Sequence, residues 1–320
     1  MSRLFVNQIK ENLVISETYR LLDKALRVNK HGAYYLQFNL NDRTGSVTGL
    51  LWNVTEEFAQ KFSEGDYVKC DGTSQLFQGK LQIAVRKLTK VDPNAVDIAD
   101  FADTSEVDVN AMTSRLREIL AGVQDPRLVT LVEAFLADET LMTRLQRSFA
   151  GVRLHHAFAG GLLDHTLSIM EMALVVGERY SHIVDRDLLV VGSFLHDIGK
   201  TLELSDDPVV PTYTDEGQAL GHLYLGAELV DRKIAEIERS SGVAFDPLLA
   251  VKLKHMILSH HGTVEFGAVK TPMTREAMAL HVLDLLDAKL NEFQRCIQED
   301  SNGDRSWTNY NSALDRKLLK

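Results

Sequence analysis

The sequence predicts a multidomain α+β protein in which an N-terminal five-stranded β-barrel is followed by an all-α helical bundle. Three observations predict it. Through residues 1–90, short segments alternate apolar and polar residues and are separated by turn signals. From residue 111 to about Phe293 the apolar residues recur instead at the three- and four-residue spacings of buried helix faces. Charge divides at the same place: residues 1–90 hold 13 Lys or Arg against 9 Asp or Glu, whereas the remainder holds 22 against 36.

Taken in order, Leu21–Val28 reads as the first strand and the alternating Tyr34–Asp42 as the second. Arg43-Thr44-Gly45-Ser46 supplies a turn into a third strand, Val47–Trp52. A helical segment, Glu56–Phe62, ends near Gly65-Asp66, and two more strands, Tyr67–Leu76 and Lys80–Leu88, join through a hairpin at Gly79. Five strands with a helix between the third and fourth resemble the oligonucleotide-binding OB barrel, which also binds sugars and proteins. The Asp42-Arg43-Thr44-Gly45 and Leu51-Trp52-Asn53 wording is similar to the nucleic-acid-binding anticodon type of that barrel. A cationic barrel suits a strand-tracking module, because phosphate attraction dominates affinity. Arg27, Lys30, Lys80 and Arg86 are the candidates for its groove. Tyr35, Trp52 and Phe77 are the candidates for base stacking, worth ~1–3 kcal/mol per base. The competing assignment for aromatics is the barrel core, onto whose face Tyr34 and Phe38 alternate, and Trp52 can do the same.

Residues 91–110 carry six acidic side chains and no Lys or Arg, and read as an acidic linker. The helical domain follows over 111–320, with residues 150–295 as its metal-site core. Its first segment, roughly Val109–Ala150, places Met112, Leu116, Ile119, Leu120, Leu128, Leu131, Val132, Phe135, Leu141 and Leu145 toward that core. Beyond Phe293 the chain turns polar and loses periodicity. Two cysteines, Cys70 and Cys296, form no disulfide framework. No signal peptide is visible and no apolar run approaches the ~20 residues that span a bilayer, so a cytoplasmic enzyme without a membrane partner is expected.

The most informative residues are His196 and Asp197, at the end of the apolar run Leu188, Leu189, Val190, Val191, Phe194, Leu195. Neither belongs in an apolar core unless something satisfies it, and a cation would. Further ligand types stand on other helical stretches: His165 after Gly160-Gly161-Leu162-Leu163-Asp164, His222 between Gly221 and Gly226, His260-His261 before Gly262, and Asp284 one turn before Asp287.

In this order they resemble the HD-domain metal-dependent phosphohydrolases. That resemblance implies His165, His196, Asp197 and Asp284 as ligands of one metal. Asp284 is preferred to Asp287 because the family pattern reads aspartate, two residues, then Asp-Ala. The extra histidines His222, His260 and His261 match the subset holding a second metal, with Asp197 shared. Such a ligand set suits Mn, Fe, Co, Ni or Zn, and Mg only where oxygen dominates. Two ions ~3.5–4 Å apart would acidify a bound water and clamp an in-line displacement at phosphorus.

Asp197 and Lys200 are the candidate catalytic residues. Lys200 either neutralises phosphate oxygens or is a solvated lysine at a helix end. Arg153, His155 and His156 are possible pocket residues, His255 lines or supports the pocket, and His31, His182 and His281 are taken as ordinary histidines. The Asp-Gly-x-Gly-Tyr-Pro run of the cyclic-dinucleotide branch is absent after His261, and Gly161 stands where a third-metal carboxylate would be.

Barrel, linker and bundle together resemble the YhaM family of bacterial 3′→5′ exoribonucleases. The resemblance implies a divalent-metal hydrolase, manganese-favoured, that trims single-stranded RNA and sometimes single-stranded DNA to nucleoside 5′-monophosphates. A homo-oligomer is compatible with it. Two other readings stand beside it: an HD nucleotidase acting on mononucleotides, with the barrel used for assembly, and a nucleic-acid-binding adaptor with a vestigial metal site.

Overall fold

The computed structural model describes residues 3–30, 32–77, 80–97, 100–101, 108–151, 160–205, 207, 212–298, 300 and 306–320. The chain divides into two compact units, residues 1–105 with 301–305 and residues 106–300 with 306–320.

In the first unit, β1 (Val14–Val28), β2 (Tyr34–Asp42), β3 (Gly45–Trp52), β4 (Tyr67–Phe77) and β5 (Lys80–Lys90) close a barrel in the order β1-β2-β3-β5-β4. Helix α1 (Glu56–Gln60), capped by Thr55, lies between β3 and β4 in the chain. Alternation along β2 sends Leu36, Phe38 and Leu40 inward to meet Ile15, Tyr19, Leu21, Val68, Cys70 and Ile83. Tyr34 shares their parity but lies at the exposed start of the strand, so its expected core position is corrected. Trp52 points outward and is 47% exposed, which removes it from the core as well.

β1 begins at Val14 rather than Leu21 because it serves two neighbours. Val14–Arg20 pairs with β4 and Arg20–Val28 with β2, and the register shifts between Leu21 and Asp23. That irregularity breaks the simple alternation by which the strand was delimited.

Part of the acidic segment belongs to this unit. Phe101 is buried edge-on against Tyr67, at 4.8 Å between ring centroids, and Arg3 covers its face and pairs with Asp100 at 2.8 Å.

The second unit is helical. The single segment expected over Val109–Ala150 is three helices: α2 (Val109–Ala121), α3 (Pro126–Leu136) and α4 (Glu139–Arg147). Asp108, Asp125 and Asp138 cap them, each carboxylate accepting first-turn N–H groups. Then come α5 (Gly161–Arg179), α6 (Arg186–Leu195), α7 (Lys200–Glu203), α8 (Asp215–Ser241), α9 (Pro247–Ser259) and α10 (Arg275–Gln298).

α6 is the hub. Every residue from Leu188 to Leu195 is buried, and the helix packs on α3, α5, α9 and α10. A helix apolar all round has no solvated side, so it fixes its C-terminal residues inside the bundle. The polar tail forms a small bridged turn, Trp307 opposite Leu319 and Asn311 opposite Arg316, with Leu314 and Leu318 buried beneath it.

Phe194 packs edge-on against Phe135 at 6.1 Å and is fully buried. Phe194→Ala is expected to destabilise the helical unit by about 3–5 kcal/mol, the cost of a large core cavity. Urea unfolding followed by far-ultraviolet circular dichroism measures it, and an unshifted midpoint would contradict the central role of α6.

Candidate metal centre and nucleic-acid face

The centre is built around Asp197, which follows directly on α6 and is 2% exposed. Its two oxygens face different groups. Oδ2 lies 3.4 Å from His196 Nε2, 3.6 Å from His165 Nε2 and 2.6 Å from Lys200 Nζ. Oδ1 lies 3.5 Å from both His222 Nε2 and His260 Nε2, and has no hydrogen-bond partner among the described residues. Burial alone would raise this carboxyl's pKa. The Lys200 ammonium and the surrounding histidines outweigh burial and hold it well below the usual carboxylate range.

Three groups of ligand-type atoms gather here, each within 4.8 Å: His165, His196 and Asp284; His222, His260 and His261; and His196, Asp197 and His260. All seven residues proposed as ligands from sequence are therefore in one place. They come from α5, the end of α6, α8, the end of α9 and α10. His260 and His261 are turned inward where α9 stops. Gly262 adopts φ +82°, and a Cβ there would lie 2.1 Å from the His281 ring.

Most of the rings are held from behind. His165 Nδ1 donates to Asp287 Oδ2 at 2.8 Å, and Asp287 Oδ1 also accepts Ser168 Oγ. His196 Nδ1 donates to the Ser193 carbonyl at 2.7 Å and His260 Nδ1 to the Ile257 carbonyl at 2.8 Å. His222 Nδ1 donates to Glu203 Oε1 at 3.1 Å. An acceptor at Nδ1 fixes the N–H there and leaves Nε2 as a lone pair directed inward. His261 is the exception, with a buried Nδ1 that has no partner among the described residues.

These orientations bring lone pairs face to face. His165 Nε2 is 3.2 Å from His196 Nε2, and His222 Nε2 is 3.3 Å from His261 Nε2. His261, with no Nδ1 partner among the described residues, can also carry its hydrogen on Nε2 and donate to His222. For His165 and His196, whose Nδ1 atoms both donate elsewhere, two neutral rings repel unless a cation or an extra proton lies between them. For His165, burial disfavours that proton, but the Asp284, Asp287 and Asp197 carboxylates outweigh it and push the pKa up to about 9. His261 goes the other way, to about 4, through burial and its neighbours His260 and His222. Converging lone pairs, an orphaned carboxylate oxygen and flanking acceptors are the donor set of a divalent-cation site. One cluster offers two imidazoles with Asp284 and Asp197 Oδ2, the other three imidazoles with Asp197 Oδ1.

Asp287, set aside as a ligand, orients His165 instead. Glu203 was missed: a buried glutamate one turn beyond Lys200 carries no pattern that announces contact with α8. His281 supports the site, its Nδ1 donating to the His260 carbonyl at 2.7 Å. His255 Nε2 accepts the Met273 N–H. Lys200 is not a solvated residue at a helix C-terminus. It opens α7, and Asp197 outweighs burial to raise its pKa. Arg153, His155 and His156 lie outside the described residues.

On the barrel, register pairs Arg27 with Tyr35 and Tyr35 with Trp52, a single row across β1, β2 and β3 on the outer face. The Tyr35 and Trp52 rings stack at 4.6 Å. Arg86 is exposed on β5 beside Val85, which pairs with Leu51. Lys30 is exposed after β1, while Phe77, ending β4, and Lys80, opening β5, are exposed and pair with each other; the Gly79 turn expected between them lies outside the described residues. The seven barrel candidates thus form a row, one position after β1 and one pair of strand ends, not one continuous patch.

The HD domain family matches residues 162–289 and the OB-fold nucleic acid binding domain family matches residues 20–91. A relative from Geobacillus sp. (strain WCH70), named 3′-5′ exoribonuclease YhaM, is 31% identical over 90% of this chain and 86% of its own length. A protein of the same name from Listeria innocua serovar 6a is 33% identical over 86% of this chain and 85% of its own. Among solved structures, a domain of replication protein A from Methanococcus maripaludis matches with 22% identity and a TM-score of 0.25, covering 28% of this chain and 97% of that one.

A proton competes with the cation at His165. Below about 9 the ring of the metal-free protein is protonated, and a cation taking its lone pair must expel that proton. Divalent-metal binding at about pH 7.5 is therefore expected to release about one proton or more, with apparent affinity rising toward pH 9 and flattening above it. Calorimetry in buffers of different ionisation enthalpy measures the release, and no buffer dependence would contradict it.

Proposed function

Because this chain belongs to the family of the 3′-5′ exoribonuclease YhaM, we propose that it shortens single-stranded RNA, and single-stranded DNA as a second substrate, from the 3′ end by a two-metal mechanism. The chain is a metal-dependent hydrolase of phosphodiester bonds, releasing nucleoside 5′-monophosphates. The observation that carries the reading is the placement of Asp197 between two ligand clusters, one carboxylate oxygen toward each.

His165, His196, Asp284 and Asp197 Oδ2 would hold one divalent cation, and His222, His260, His261 and Asp197 Oδ1 the other. Manganese is the best-matched ion for this mixture of imidazole and carboxylate, with Fe, Co, Ni and Zn close to it. When bound, such a pair supplies an acidified water and neutralises charge at phosphorus. The protein's own part is to keep the site charged correctly. Asp197 stays ionised, and Lys200 stays an ammonium 2.6 Å from it, within the same buried site, where it can meet a non-bridging phosphate oxygen.

The barrel is the strand-holding element. The Arg27–Tyr35–Trp52 row lies on the second- and third-strand face that OB barrels use for oligonucleotides, Lys30 follows β1, and Phe77 and Lys80 are the strand ends that meet between β4 and β5. Because Tyr35 and Trp52 already stack on each other, a base would add to the pair rather than enter between free rings. Among the described residues no helix is long and apolar enough to cross a membrane.

A time course on 5′-labelled single-stranded RNA tests the activity. Metal-stripped protein is expected to give a ladder shortening from the 3′ end only after Mn²⁺ is added, and His196→Ala to give none. Intact RNA alongside phosphate release from mononucleotides would point to a nucleotidase instead. Trp52→Ala is expected to weaken single-stranded RNA binding by about 1–3 kcal/mol while leaving the metal content unchanged. Fluorescence anisotropy measures it, and unchanged affinity would remove Trp52 from the binding face.

A further inference from the structure

We propose that Glu203 is the positioning residue of the second cation subsite, holding both the main chain and the ring of His222 at a break in α8. The inference rests on the two-cation reading and adds to it the means by which one of the two clusters is assembled.

α8 is not continuous. At Gly221 the backbone leaves the helical region, with φ 73° and ψ 157°, and the helix resumes at His222. N–H groups at a helix start have no partner within the helix. Here the His222 N–H donates to Glu203 Oε1 at 2.9 Å, and the same oxygen accepts His222 Nδ1 at 3.1 Å. One carboxylate oxygen therefore caps the resumed helix and sets the ring that faces Asp197. Without it, the half-buried break would leave a main-chain donor unpaired and the ring free to rotate.

Glu203 is itself fixed. Its carbonyl accepts the Thr214 N–H at 2.9 Å, and Gly217 packs so closely on it that a Cβ there would lie 2.2 Å from the Glu203 oxygen. Farther along α8, the His222 carbonyl would be 2.1 Å from a Cβ at Gly199. The short segment from Asp197 to Glu203 thus carries the shared ligand at one end and the orienting carboxylate at the other, with α8 pressed against it between them. The other cluster has its own orienting carboxylate in Asp287 and makes no hydrogen bond to Glu203.

Glu203→Asp withdraws the acceptor by one methylene, whereas Glu203→Gln keeps an acceptor oxygen in place without the charge. The full-length metal-stripped protein is titrated with Mn²⁺ by calorimetry, and electron paramagnetic resonance distinguishes a spin-coupled pair from an isolated ion. The unmodified protein is expected to bind two equivalents. Glu203→Asp is expected to bind the first normally and the second about 10–100-fold more weakly, the usual effect of losing an orienting partner, with excess Mn²⁺ restoring the coupled signal. Glu203→Gln is expected to keep both. Native affinity for the second ion in Glu203→Asp, or equal loss in both variants, would overturn the inference. If Glu203→Asp does not fold, loss of the second ion in a folded Glu203→Gln overturns it and retention supports it. A single equivalent in the unmodified protein would overturn the two-cation reading together with this one.

Discussion

A buried carboxylate without enough hydrogen-bond donors is the constraint on which the helical unit depends. Asp197 sits at the end of a helix that is apolar on every side, with one oxygen facing no donor at all among the described residues. A lone charge in such a place would be excluded or neutralised. Lys200 meets part of the demand from one side. The remaining directions are filled by imidazole nitrogens, which meet that demand only while they carry an extra proton and otherwise turn lone pairs inward toward a cation. Folding of this bundle and binding of a cation are in that sense one electrostatic problem.

The solution is distributed over the bundle. Apolar packing around α6 fixes where Asp197 lies, while the orienting contacts come from elements far apart in sequence. Asp287 reaches back to His165 across 122 positions, and Glu203 reaches His222 across 19. The carbonyls of Ser193 and Ile257 come from the last turns of α6 and α9 themselves. Ligands at helix ends can thus be aimed by their own helices, whereas His165 and His222, nearer helix starts, require a carboxylate from elsewhere.

That division explains what was legible in the sequence. The candidate ligands could be picked out because each is a polar residue in an apolar helical pattern, and because their order resembles a known family; the structure gathers them in one place. The five strands could be read from alternation, except where the β1 register shift lets one strand pair with two neighbours and hides its first half. The three short helices of 109–150 read as one segment because their apolar spacing carries across the breaks, although Asp125-Pro126 and Asp138 mark starts. Glu203 could not be read at all. Its role depends on a close approach of α7 and α8, and a non-helical glycine within what looks like a continuous helix gives no periodic signal. Trp52 was ambiguous for a simpler reason: it is the last residue of its strand, where alternation has no following position to confirm the side.

The tryptophans have a practical consequence. The chain has two, Trp52 and Trp307, and they fall in different compact units, both partly open to solvent. Trp52 rests on Tyr35, on the outer barrel face, while Trp307 belongs to the bridged tail of the helical unit. Replacing either one with phenylalanine would leave a single indole, so intrinsic fluorescence could follow the barrel or the bundle separately without any attached dye. The molecule carries its own optical labels, one for the unit proposed to hold the strand and one for the unit that contains the candidate metal centre.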